Sequence, residues 1–184
     1  MRKPIHEKER LARLRSLNVL DPSSNTTLTS VLKLAAQASR CPAAYISFVE
    51  SEKQIFRSLY GCECGEISRG EAICSDTILS NEPLIIRDIS EEKRYASCPL
   101  TNPPLSFKFY AGFPLVTRDQ LAIGTLCVLD SKPRILHEIE IAFLSNLASH
   151  VISQIELQNK LAAVQRTISS LEDSEQRFRK IDDA

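Results

Sequence analysis

Apolar positions recur every second residue from Phe107 to Asp130, FKFYAGFPLVTRDQLAIGTLCVLD, on either side of Thr117–Gln120. Successive strand residues point to opposite faces, so this predicts two antiparallel strands folded across that turn. Phe107, Phe109, Ala111, Phe113 and Leu115 form one row. Leu121, Ile123, Thr125, Cys127 and Leu129 form another, and both are expected to serve one core. Gly112 and Gly124 lie within the arms, where glycine marks a bulge or the close approach of another group. Lys108, Tyr110 and Asp130 bring polar atoms among residues that should be at least half-buried.

The pattern elsewhere fits a small sheet around this hairpin. Residues 5–18 read as a short helix with Ile5, Leu11, Leu14 and Leu17 near one face. Thr26 or Thr27 can cap a second helix carrying Leu28, Val31, Leu32 and Ala35, and Pro42 stops it. Ala43 to Glu50 alternates Ala44, Ile46 and Phe48 against Tyr45, Ser47 and Val49. A turn at Ser51–Lys53 leads into a second strand, Gln54 to Tyr60. Ser68 and Glu71 have capping-box spacing ahead of a short helix with Ala72, Ile73, Cys74, Ile78 and Leu79. Pro83 to Ile86 is a brief strand. Asp88 to Leu105 is polar and proline-bearing, and its length suggests a lid or binding loop.

A long helix closes the chain from residue 136 and carries two apolar seams. Ile141, Leu144, Ala148, Val151 and Ile155 are expected to lie on the sheet. Leu157, Leu161, Val164, Ile168 and Leu171 step by four and three on another phase, beyond any sheet that could cover them. A parallel two-stranded coiled coil is the simplest cover for such a seam.

Composition narrows the classes. The chain has 184 residues with 23 basic and 23 acidic side chains, so nothing favours a nucleic-acid partner. No apolar run reaches the roughly 20 residues that span a bilayer. The charged start, MRKPIHEKERLARLR, has no apolar signal core, so a cytoplasmic location is expected. In that compartment the six cysteines are expected as thiols. Cys62 and Cys64, between glycines, read as exposed loop thiols; a structural zinc site would want paired clusters of four ligands. Five glycines in all leave no phosphate-cradling loop. Neither a Gly-x-Ser-x-Gly elbow nor two spaced histidines is present, so no catalysis is expected.

Several segments together resemble a GAF domain of the kind that opens bacterial sensor histidine kinases and diguanylate cyclases. They are Arg10-Leu11 with Leu17-Asn18-Val19-Leu20-Asp21, Arg69 with Ile73-Cys74, and Pro83-Leu84-Ile85-Ile86 with Asp88. Phe109-Tyr110-Ala111-Gly112-Phe113-Pro114-Leu115 and Ile123-Gly124-Thr125-Leu126-Cys127-Val128-Leu129-Asp130 with Pro133-Arg134 complete the set. Residues 174–184 are similar to the opening helix of a PAS domain. The resemblance implies an α+β fold: an antiparallel sheet of five or six strands, helices on one face, a ligand pocket on the other, and a long C-terminal signalling helix. It divides the chain into a sensory domain over 1–160, a coiled-coil helix over 157–175 and the start of a PAS domain at 174–184. That pattern is of a homodimer, joined through its N- and C-terminal helices, that relays a small-molecule signal to a downstream output domain.

By position, the resemblance makes Arg69, Cys74, Asp76, Asp88, Tyr110, Thr125 and Cys127 the candidate ligand-binding residues. The ligand is not named by the sequence. A covalent bilin is not expected, because Cys74 is followed by Ser75 and no Cys-His pair occurs. Two other readings stand beside the sensor. One is a ligand-free dimerisation spacer with its pocket filled by its own side chains. The other is a cysteine-dependent enzyme like the free methionine sulfoxide reductases, which share the fold.

Overall fold

The computed structural model describes residues 2–20 and 28–182, with side chains to residue 175. In chain order the elements are α1 (Glu7–Ser16), α2 (Thr29–Ser39), β1 (Ala43–Val49), β2 (Lys53–Tyr60), β3 (Ile67–Ser68), α3 (Cys74–Thr77), β4 (Leu84–Ile86), β5 (Phe109–Val116), β6 (Ala122–Asp130) and α4 (Glu138–Asp182). The strands form one sheet in the order β3-β2-β1-β6-β5-β4, and every pairing is antiparallel. The fold is the α+β architecture expected.

Two apolar layers sandwich this sheet. On one face α1, α2 and the first part of α4 cover Ala44, Ile46, Phe48, Phe109, Ala111, Phe113 and Leu115. On the other, α3 and the 88–105 segment cover Ala43, Tyr45, Val49, Tyr110, Cys127 and Leu129. β1 and β6 are central and covered on both sides, so every residue in each is buried. Burying a large aliphatic or aromatic side chain is worth about 1.5–3 kcal/mol, so two such layers hold the sheet rigid.

The central hairpin forms where predicted, with Thr117 and Gln120 closing the turn. Its rows differ from the expectation. Ala111 pairs with Val128 and Phe113 with Leu126, so the β5 row shares the helix face with Leu126 and Val128. Thr125, Cys127 and Leu129 therefore face the opposite layer, as does Phe107. A register shift between Leu115 and Val116 resets the phase, which returns Ile123 to the helix side.

Other boundaries also differ. Ile5 is 96% exposed and lies outside α1, while Arg10 takes a buried place in it. Thr26 and Thr27 lie outside the described residues. α2 ends at Ser39, and Arg40 turns the chain away in the left-handed conformation just before Pro42. The capping box at Ser68 is replaced by backbone: the Ser68 carbonyl accepts the amides of Glu71 and Ala72, and α3 starts only at Cys74. The 88–105 segment is a loop with three short 3₁₀ turns.

α4 is continuous over 45 residues. Its first seam packs as predicted, with Leu144, Ala148, Val151 and Ile155 in the core. Beyond it Leu157, Leu161, Val164, Ile168 and Leu171 are each 49–62% exposed.

Candidate functional site

The alternation of β1 sends Tyr45 and Ser47 away from the helices, toward the layer that holds α3. Gln54 on β2, Tyr110 on β5, and Thr125 and Cys127 on β6 reach the same place, and all six are fully buried. α3 puts Cys74 at the centre. Thr125 Oγ1 donates to Cys74 Sγ at 3.1 Å, Gln54 Nε2 at 3.2 Å and Ser47 Oγ at 3.6 Å. Tyr45 Oη lies 3.2 Å from the sulfur, Tyr110 Oη 3.3 Å and Cys127 Sγ 3.7 Å. Thr77 Oγ1 and Tyr110 Oη are 2.7 Å apart, which fixes the phenol.

Gly112 makes room for this arrangement. A Cβ there would meet Tyr110 Oη at 2.2 Å and Thr77 Oγ1 at 2.9 Å. Gly124 does the same for the backbone, since a Cβ would lie 2.3 Å from the Ser47 carbonyl oxygen. Both glycines mark close approaches, as their position in the strands suggested.

The electrostatics follow from the donors. Burial works to raise the Cys74 thiol, but hydrogen bonds from Cys127, Thr125, Tyr110 and Tyr45 outweigh it and draw it down to about 6. Cys127 moves the other way: burial, then its bond to Cys74 and the charge there, push it well above the usual thiol range. Burial and the two neighbouring sulfurs likewise raise Tyr45 and Tyr110. The two thiols are thus driven in opposite directions, Cys74 down and Cys127 up.

Of the predicted site residues, Cys74, Tyr110, Thr125 and Cys127 meet here. Arg69 does not. It is buried, but its guanidinium bonds the Glu7 carboxylate and the carbonyls of Glu50 and Ser51. Its Nε and Nη2 find no acceptor among the described residues. Asp88 caps a 3₁₀ turn, accepting from the Ser90 amide at 3.0 Å. Asp76 faces the 88–105 segment, where Tyr95 Oη donates to it at 2.7 Å and Arg94 pairs with it at 3.2 Å. Tyr45, Ser47, Gln54 and Thr77 were not anticipated. The polar phase of β1 was the available signal for the first two.

Tyr45, Ser47, Gln54, Cys74, Tyr110, Thr125 and Cys127 are each fully buried, so the cluster is closed by its own side chains. A cleft of about 500 Å³ along the 88–108 segment is lined by Ser90, Lys93, Asn102 and Lys108 among others, and no residue of the Cys74 cluster opens into it. Among the described residues no group of three or more His, Cys, Asp or Glu is placed to hold a metal. No described helix is long and apolar enough to cross a membrane.

A curled six-stranded antiparallel sheet with helices on one face and a closing C-terminal helix defines a class, and sequence comparison gives its name. The GAF domain family model matches residues 22–156, and the chain belongs to that family. It is 29% identical over 153 residues to a cyclic di-GMP phosphodiesterase of Pseudomonas aeruginosa, covering 83% of this chain and 26% of that protein. The chain thus spans about a quarter of the length of that curated relative. The fold is similar to the GAF domain of a phosphoenolpyruvate-protein phosphotransferase from Coxiella burnetii, with a TM-score of 0.64 at 18% identity, covering 85% of this chain and 98% of that one. It is also similar to the blue-light-absorbing form of the PixJ GAF domain from Thermosynechococcus elongatus, with a TM-score of 0.58 at 19% identity over 88% and 96% of the two chains. GAF domains of this kind are parts of signalling proteins, in keeping with a sensory or regulatory module.

Proposed function

We propose that this chain is a sensory GAF module that pairs with a second copy through its helices and passes a change at the Cys74 cluster to a downstream output domain. The observation that carries the reading is the bare seam on α4. Leu157, Leu161, Val164, Ile168 and Leu171 step by four and three and stand in solvent. Followed back in the same rhythm, the seam takes in Gln154, His150, Leu147 and Phe143, and Phe143 is itself 43% exposed. A partner helix running parallel would cover the whole line.

The relay has a continuous physical path. Ser75, next to Cys74, donates to the Arg69 carbonyl at 2.7 Å, and the Arg69 guanidinium pairs with Glu7 on α1. At the other end of α1, Arg13 pairs with the buried Glu156 of α4 at 2.6 Å, and Asn159 of α4 donates to the Ser16 carbonyl at 3.2 Å. α1 thus bridges the site and the signalling helix. A signal works only by favouring one arrangement of this network over another. We take the module to relay and not to catalyse, and the PAS-like stretch from residue 174 to be where the output side begins.

In the first reading the input is a small molecule that enters beneath the 88–105 segment. The closed packing of Tyr110 favours the second reading, in which the module works with no resident ligand. Native mass spectrometry of the purified chain separates them. A discrete added mass supports a bound small molecule, whereas a bare polypeptide mass supports the ligand-free module.

A further inference from the structure

Cys74 and Cys127 have their sulfurs 3.7 Å apart in a wholly buried site. Gln54 Nε2 lies 3.2 Å from Cys74 Sγ and donates to it, while Gln54 Oε1 finds no partner among the described residues. With the Thr125 and Ser47 hydroxyls also donating, the surroundings are built for a thiolate on α3 facing a protonated thiol on β6. The other thiols differ: burial pushes Cys62 and Cys98 up to about 11 and raises Cys41 and Cys64 as well.

We propose that Cys74 and Cys127 are a peroxide-reactive dithiol and that its oxidation is the input to the relay, an inference that rests on the sensory reading above. The Cys74 thiolate attacks one oxygen of a hydroperoxide. A sulfur–oxygen bond forms, the oxygen–oxygen bond breaks, and the departing oxyanion takes a proton from water to leave as an alcohol, or as water from hydrogen peroxide. Cys127 then loses its proton and attacks the Cys74 sulfenic sulfur. The sulfur–sulfur bond forms, the sulfur–oxygen bond breaks, and the hydroxide leaves with that proton as water. The two sulfurs give up two electrons and the peroxide accepts them. Closing the bond brings the sulfurs from 3.7 Å to about 2.05 Å, a movement that α3, only four residues long, must supply. It also removes the negative charge at which Gln54 and Thr125 are aimed. Ser75, which holds the Arg69 backbone, moves with Cys74.

The test is to treat the reduced full chain with hydrogen peroxide, unfold it with an alkylating reagent and map the peptides by mass spectrometry. The expected first product is a Cys74–Cys127 cross-link, lighter by two hydrogens and reversed by dithiothreitol. In Cys127→Ala, dimedone should capture Cys74 as its sulfenic acid. Consumption of Cys62, Cys64 or Cys98 while Cys74 and Cys127 remain fully alkylated overturns the proposal. Sedimentation of the same samples keeps the two ideas apart. A cross-link in a monomeric chain supports the dithiol and counts against the relay; a dimer with no cross-link overturns the dithiol and leaves the relay standing.

Discussion

Glu7→Gln is the sharpest probe of how α1 is tied to the sheet. The Glu7 carboxylate accepts from Arg10 Nε at 2.8 Å and Nη2 at 3.0 Å, and from Arg69 Nη1. Both arginine side chains are 1% exposed, while Glu7 is 15% exposed. Removing one partner of a buried ion pair costs about 3–5 kcal/mol, because it strands the other charge. Partial access of water to Glu7 puts this case at the low end, about 3 kcal/mol. That corresponds to a fall in melting temperature of roughly 6–12 °C for a domain of this size. The loss should also depend on pH. Burial works to raise the Glu7 carboxyl, but bonds to Arg10 and Arg69 prevail and lower it from 4.5 to about 2. An acid whose folded value is depressed contributes stability in full above its unfolded value and loses it as pH falls toward the folded one. The wild-type advantage should therefore be complete above pH 4.5 and shrink toward pH 2. Urea unfolding of both proteins at pH 7 and pH 3 measures this. A difference below about 1 kcal/mol at pH 7, or one that does not shrink on acidification, refutes the reasoning.

Three further outcomes are expected. Gly112→Ala drives a Cβ toward Tyr110 Oη, so it should cost about 1–3 kcal/mol in chemical denaturation, as overpacking does. Tyr110→Phe removes the hydroxyl 3.3 Å from Cys74 and 2.7 Å from Thr77; it should destabilise by about 1–2 kcal/mol and shift the pH profile of Cys74 alkylation upward. Leu161→Glu places a charge in the exposed seam, so it should leave the folded monomer intact by circular dichroism and abolish self-association in light scattering.

The hairpin and the two seams of α4 were legible because each repeats over many residues and each has a single period. The choice of face was not. Thr125 and Cys127 read as partners of Phe109 and Phe113, and only the pairing register with β5 shows that they face away from them. Cys74 and Tyr110 were found through the family resemblance. Their neighbours Tyr45, Ser47 and Gln54 were missed, because alternation alone does not distinguish a polar strand face at the surface from one sealed under a second layer. Arg69 is a candidate through the resemblance alone, and its pairing with Glu7 is not legible in the sequence because only folding brings the two together. Asp88 is likewise a candidate through the resemblance, and in the structure its carboxylate caps a local turn at Ser90, away from the Cys74 cluster.

Sedimentation equilibrium of the 20.6 kDa chain, over a range of concentrations, tests the pairing of α4 most directly. The expected result is twice the chain mass, lost in Leu161→Glu. A single-chain mass at every concentration, with α4 intact, would contradict a module that signals through a shared helix.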